Sequence, residues 1–84
     1  MNEVTYSKKA AKQLRKLQPS DSKAVRCECN KLANMPECAN VKALSNHEYR
    51  YRLRVGNFRV FFDFDGAAHI VSIEEVKKRD ERTY

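Results

Sequence analysis

Glycine and proline are scarce in this chain, two of each in 84 residues. Apolar residues make up 42%, too many for a disordered segment, and the length is too short for two independent cores. One domain spanning residues 1–84 is therefore expected. No apolar run approaches the ~18 residues that a membrane helix needs, which excludes a spanning helix. Residues 1–16 are polar in a helical pattern, not a charged end followed by an apolar stretch, so no secretory signal is expected. Cysteine is limited to three, at 27, 29 and 38. An odd count without a signal reads as free thiols in a reducing cytoplasm, not a disulfide framework. A metal site from Cys27, Cys29, Cys38 and His47 is the alternative. It is disfavoured because Cys27 and Cys29 are two apart in a helix-like stretch and point to different faces. Cys29 reads better as a small buried apolar residue.

Positive charge is abundant. Lys and Arg total 17 against 11 Asp and Glu, a formal +6. A small basic domain implies an anionic partner: nucleic acid, an acidic protein segment or a membrane surface.

The first half carries helical periodicity. Residues 3–6 (Glu-Val-Thr-Tyr) form a strand candidate, and Ser7 can cap the helix that follows. Ala10, Leu14 and Leu17 recur at helical spacing across 8–17, and Pro19 ends that helix while opening the next. Val25, Cys29, Leu32 and Ala33 make one buried stripe in the second helix, which Asn34 and Pro36 stop. Residues 37–48 fit neither period and read as a loop, with a short strand candidate at 41–44.

The second half switches to period two. Tyr49, Tyr51, Leu53 and Val55 alternate with Arg50, Arg52 and Arg54, and Gly56-Asn57 signals a two-residue hairpin turn. If Val55 faces Phe58, then Leu53 faces Val60, Tyr51 faces Phe62 and Tyr49 faces Phe64, all on one apolar face. The other face pairs Arg54 with Arg59, Arg52 with Phe61, and Arg50 with Asp63. A one-residue slip mixes the two faces. Asp65-Gly66 starts the next turn, and a loop of two or four residues keeps Val71 and Ile73 on the apolar side of a strand over 69–76. The expected fold is α+β. It is a two-layer sandwich, with the N-terminal strand and a helical hairpin packed on a mainly antiparallel sheet that ends in a three-stranded meander.

The face away from the helices then gathers Arg50, Arg52, Arg54 and Arg59. The tail residues Lys77, Lys78, Arg79, Arg82 and Tyr84 are expected at its rim. Arginine suits phosphate because its planar fork donates two parallel hydrogen bonds and stays charged. Arg54 opposite Arg59 is repulsive unless an anion lies between them. Tyr84 or an exposed Phe61 offers a stacking surface for single-stranded RNA. The plainer reading is a solvated charged face that discourages edge aggregation. His47 and Glu48, entering the arginine strand, are the nearby groups suited to proton transfer near neutral pH.

The run His47-Glu48-Tyr49-Arg50-Tyr51-Arg52-Leu53-Arg54-Val55-Gly56-Asn57-Phe58-Arg59-Val60 resembles the core of RelE-type toxins of the RelE/ParE toxin–antitoxin superfamily. The ending from Ile73-Glu74-Glu75-Val76-Lys77-Lys78-Arg79 through Tyr84 is similar too. The resemblance implies a cytoplasmic toxin of a type II system, without cofactor or metal, that enters the ribosomal A site and cleaves mRNA. In that chemistry a ribose 2′-OH attacks the adjacent phosphate, the 5′-oxygen leaves and a 2′,3′-cyclic phosphate results. It implies catalytic roles for Arg50, Arg52, Arg59, Arg79 and Tyr84, with Arg54, Lys77, Lys78 and Arg82 binding RNA phosphate. Arg52 stands where the family has a lysine general base, and arginine is a poor base, so Glu48 or His47 is the candidate replacement. The implied partners are a cognate antitoxin, the ribosome with its rRNA, and mRNA, with the toxin a monomer or in a hetero-oligomer with its antitoxin. A ParE-like poison of DNA gyrase and a non-catalytic RNA-binding module are the competing readings.

Overall fold

In the computed structural model, which describes residues 1–78, the chain begins with strand β1 (Glu3–Tyr6). Helices α1 (Lys8–Lys16) and α2 (Pro19–Asn30) follow, and a 3-10 turn (Lys31–Asn34) closes α2. Strands β2 (Val41–Ala43), β3 (Tyr51–Val55), β4 (Phe58–Asp65) and β5 (Ile70–Lys78) complete the order. They form one five-stranded sheet, β1-β5-β4-β3-β2. β1 runs parallel to β5 and every other pairing is antiparallel. This is the expected α+β sandwich, with two helices on one face of a mixed sheet.

Ser7 caps α1 as its sequence position suggests. Its Oγ accepts from the Ala10 N–H at 3.0 Å and donates to the Glu74 carbonyl at 2.8 Å, tying the helix start to β5. Pro19 opens α2, where its missing N–H costs nothing. Ala10 and Leu14 of α1 and Val25 and Cys29 of α2 meet Leu53, Val60, Phe62, Val71, Ile73 and Val76 of the sheet in a continuous core. Cys29 is fully buried and Cys27 exposed, the two faces that their spacing requires. Burial pushes the Cys29 thiol up to about 11, so it stays protonated and unreactive at neutral pH.

The β3–β4 register has Val55 opposite Phe58, Leu53 opposite Val60 and Tyr51 opposite Phe62, as the alternation predicts. Gly56 carries the left-handed backbone of the connecting turn, at φ 53°. The β4–β5 loop has four residues, 66–69, and the Asp65 carboxylate accepts from the Ala67 and Ala68 N–H groups at 3.0 Å each. Val71 and Ile73 consequently face the core.

Two features depart from simple alternation. First, the β4–β5 ladder slips between Phe61, opposite Glu75, and Phe62, opposite Ile73. Glu74 is the extra residue, a β-bulge that inverts the parity of everything after it. Val76 thereby reaches the core, while Glu75 and Lys77 turn to the opposite, open face. Second, the ladder starts at Tyr51, so Tyr49 does not face Phe64 in the core as alternation predicts. Its ring lies 5.8 Å from that of Phe61 on the open face. Residues outside a ladder are not bound by its period.

Candidate nucleic-acid interface

Cross-strand pairing arranges the open face in rows. Arg54 of β3, Arg59 of β4 and Lys77 of β5 lie in one row, three cations side by side. The next row holds Lys42 of β2, Arg52, Phe61 and Glu75. The third brings Asp63 opposite Ser72, with the Arg50 N–H donating to Asp63 Oδ1 at 3.0 Å. The face thus grades from a cationic end through an aromatic middle to an acidic end.

This grading separates the predicted arginines. Arg54 and Arg59 are direct neighbours. Arg50 lies four residues from Arg54, roughly 13 Å at about 3.3 Å per strand residue, beside Asp63. Arg52 sits between them, and its Nε is buried without a hydrogen-bond partner. Lys77 belongs to the cationic row. Lys78 pairs with Phe58 and therefore points to the helix side, apart from the row. Arg79, Arg82 and Tyr84 lie outside the described residues.

The middle row contains what sequence reasoning missed. Phe61 is not the exposed stacking surface expected but is 92% covered, and His47 and Tyr49 of the loop before β3 lie against it. His47 stacks on it with ring centroids 5.0 Å apart and an interplanar angle of 16°, and Tyr49 stacks beside it at 29°. His47 Nδ1 accepts the Tyr49 backbone N–H at 3.0 Å. Tyr49 in turn donates its hydroxyl to Glu75 Oε1 at 3.3 Å.

Glu75 is the centre of this arrangement. Its side chain is only 6% exposed, yet it holds Lys9 of α1 at 3.1 Å through Oε1 and Lys77 at 3.4 Å through Oε2. Burial alone raises the Glu75 pKa, but the hydrogen bonds and charges of Lys9 and Lys77 outweigh it and hold the carboxyl below its ordinary value. The Tyr49 hydroxyl is shifted upward, first by burial and then by the nearby Glu48 and Glu75 charges. Unbroken alternation from Ile73 would put Glu74 on the open face. The bulge substitutes Glu75, and no local sequence signal marks where a bulge falls. Lys42 was legible only through the β2–β3 register. Among the described residues, no group of three or more His, Cys, Asp or Glu is placed to hold a metal ion.

A two-layer sandwich of this topology is the fold of small toxins of the RelE/ParE class. A family model described as the ParE toxin of type II toxin–antitoxin systems, parDE, matches residues 4–83, and the chain belongs to that family. No curated protein matches it in sequence. Solved structures that it resembles include RelE toxins and their antitoxin complexes. The chain is similar to a chain of the toxin–antitoxin complex RelBE2 from Mycobacterium tuberculosis, with 26% identity, coverage of 93% of this chain and 98% of that one, and a TM-score of 0.80. It is similar to a chain of the archaeal RelE–RelB complex from Pyrococcus horikoshii, at 22% identity, 95% and 97% coverage and a TM-score of 0.78. It also resembles the isolated E. coli RelE toxin, at 14% identity, 96% and 87% coverage and a TM-score of 0.79, a likeness of fold.

Proposed function

We propose that this toxin is a ribosome-dependent mRNA endonuclease that cuts mRNA in the A site by 2′-OH attack. The observation that carries this reading is the row of Arg54, Arg59 and Lys77 on the open face. Like charges placed directly opposite each other destabilise a sheet, and a phosphate between them converts that repulsion into binding. As the 2′-oxygen bonds to phosphorus and the 5′-oxygen departs, charge grows on the equatorial oxygens of the pentacovalent phosphorus. Arg54 and Arg59 are placed to hold that charge, more strongly once the ribosome excludes water. Arg52 does not serve as a base, because a guanidinium stays protonated. Glu75 is also a poor base, since two lysines keep its carboxylate stable. Glu48, or a group of the ribosome, accepts the 2′-OH proton; the sequence candidate His47 is less suited, because its Nδ1 already accepts the Tyr49 N–H. Arg79 and Tyr84 are assigned the leaving-oxygen and base-stacking roles by resemblance.

The same face predicts the partner. An acidic or amphipathic antitoxin segment that neutralises the cationic row would block RNA entry, in keeping with the RelE structures solved as complexes with their antitoxins. A second reading, poisoning of DNA gyrase, is favoured by the family model, which is that of ParE. A gyrase binder has no evident need for a phosphate-binding row. Toeprinting of translating ribosomes separates the two. Codon-specific cuts in the A site, lost in Arg59→Ala and Arg79→Ala, support the nuclease. Gyrase-trapped DNA breaks with intact mRNA support the other reading.

A further inference from the structure

We propose that His47, laid flat on Phe61, is a platform on which a base of the bound RNA stacks. The inference rests on the reading that the open face receives RNA, and assigns a base-binding position within it. Four observations converge. His47 is an exposed residue whose ring is backed by Phe61 at 5.0 Å and 16°, with the Tyr49 ring tilted beside it at 6.0 Å. Its orientation is fixed, because Nδ1 accepts the Tyr49 N–H. In the neutral ring this leaves the proton on Nε2, a donor for a base edge or phosphate. Tyr49 is anchored in turn, through its hydroxyl, to the Glu75 hub that also grips Lys9 and Lys77. Finally, Phe61 lies directly across from Arg52 and one row from Arg54, Arg59 and Lys77, so a base on His47 has cations beside it for its flanking phosphates.

This arrangement is the recurring solution for single-stranded nucleic acid, an aromatic face for the base next to a cationic track for the backbone. Two stacked rings held in place from below also lose less freedom on binding than a lone exposed aromatic. A surface histidine serving only to cover Phe61 would not need the adjoining cations.

The test is single-turnover cleavage of mRNA on programmed ribosomes, with wild type, His47→Ala and His47→Phe compared. Normal mRNA is compared with mRNAs that carry one abasic nucleotide in the A-site codon. Alanine is expected to lower kcat/KM about tenfold, within the range of one base–aromatic stack. Phenylalanine, which stacks but carries no proton, is expected to retain most of the activity. One abasic position should reproduce the alanine loss in wild type and leave His47→Ala no worse. Equal rates for His47→Ala and wild type overturn the platform while leaving the nuclease reading intact. A phenylalanine variant as poor as alanine also overturns it, and assigns the imidazole to proton transfer instead. If wild type leaves ribosome-bound mRNA uncut, the nuclease reading fails and the platform with it.

Discussion

At the scale of single residues, Glu75 ties a helix, a strand and a loop together on this surface. It is one buried carboxylate holding a helix lysine, a strand lysine and a tyrosine hydroxyl. Glu75→Gln keeps the shape but removes the charge that both lysines answer. The lysines are more than half exposed and can return to water, so the expected loss is about 1–2 kcal/mol, not the full cost of breaking a buried pair, and is read as a lower Tm. Because the folded carboxyl titrates below its ordinary value of 4.5, its contribution is complete above that pH and is lost as pH falls through the folded value. Urea midpoints measured from pH 6 downward should decline more steeply in wild type than in the glutamine variant. Arg54 predicts the opposite balance. Arg54→Gln removes a charge facing Arg59, so stability should hold or rise by a few tenths of a kcal/mol while mRNA cleavage falls tenfold or more. Thermal melts and cleavage rates on the same samples check both. Arg52, Arg54 and Arg59 were legible in the sequence because alternation within the hairpin ladder assigns their face, whereas Arg50 lies before that ladder. Glu75 was not legible, because its face depends on a bulge.

At the scale of elements, one side chain anchors the start of α1 to β5. Ser7 Oγ both caps the helix and holds the Glu74 carbonyl at the bulge. Ser7→Ala should cost about 1–2 kcal/mol, and the loss should reach the open face, since the bulge sets the direction of Glu75 and Lys77. The check is a fall in Tm accompanied by weaker hydrogen-exchange protection at Glu75 and Val76. Val76 N–H itself donates to Gln13 Oε1 of α1 at 2.6 Å, a second tie between helix and strand beyond the end of β1. Helices, turn, hairpin register and the even parity of the β4–β5 loop all followed from local pattern, because each depends on neighbours within a few residues; that the loop has four residues and not two did not. The path of residues 44–50 did not, because nothing local tells a loop which surface it will cover.

At the scale of the whole molecule, the helices occupy one face of the sheet and leave the other as the proposed functional surface. No helix among the described residues is long and apolar enough to cross a membrane. A small domain with a graded open face is open to stabilisation by whatever covers it. An acidic antitoxin segment present at 100 times its Kd should raise unfolding stability by about 2.7 kcal/mol, seen as a concentration-dependent Tm. The shift should shrink in Arg54→Gln and at high salt, since the row of cations is the proposed contact.

The sequence by itself determined which residues are apolar and which are cationic, and the periods that sort them onto two faces. These are properties of the chain a few residues at a time, and steric alternation converts them into structure without help. The tertiary structure decided that Glu74 bulges, that Glu75 and Lys77 turn outward, and that His47 and Tyr49 close over Phe61. Each of these is settled by a partner far along the chain: Ser7 for the bulge, Lys9 for the carboxylate and Phe61 for the loop. Such pairings become favourable only after the layers have met, and so have no local signature.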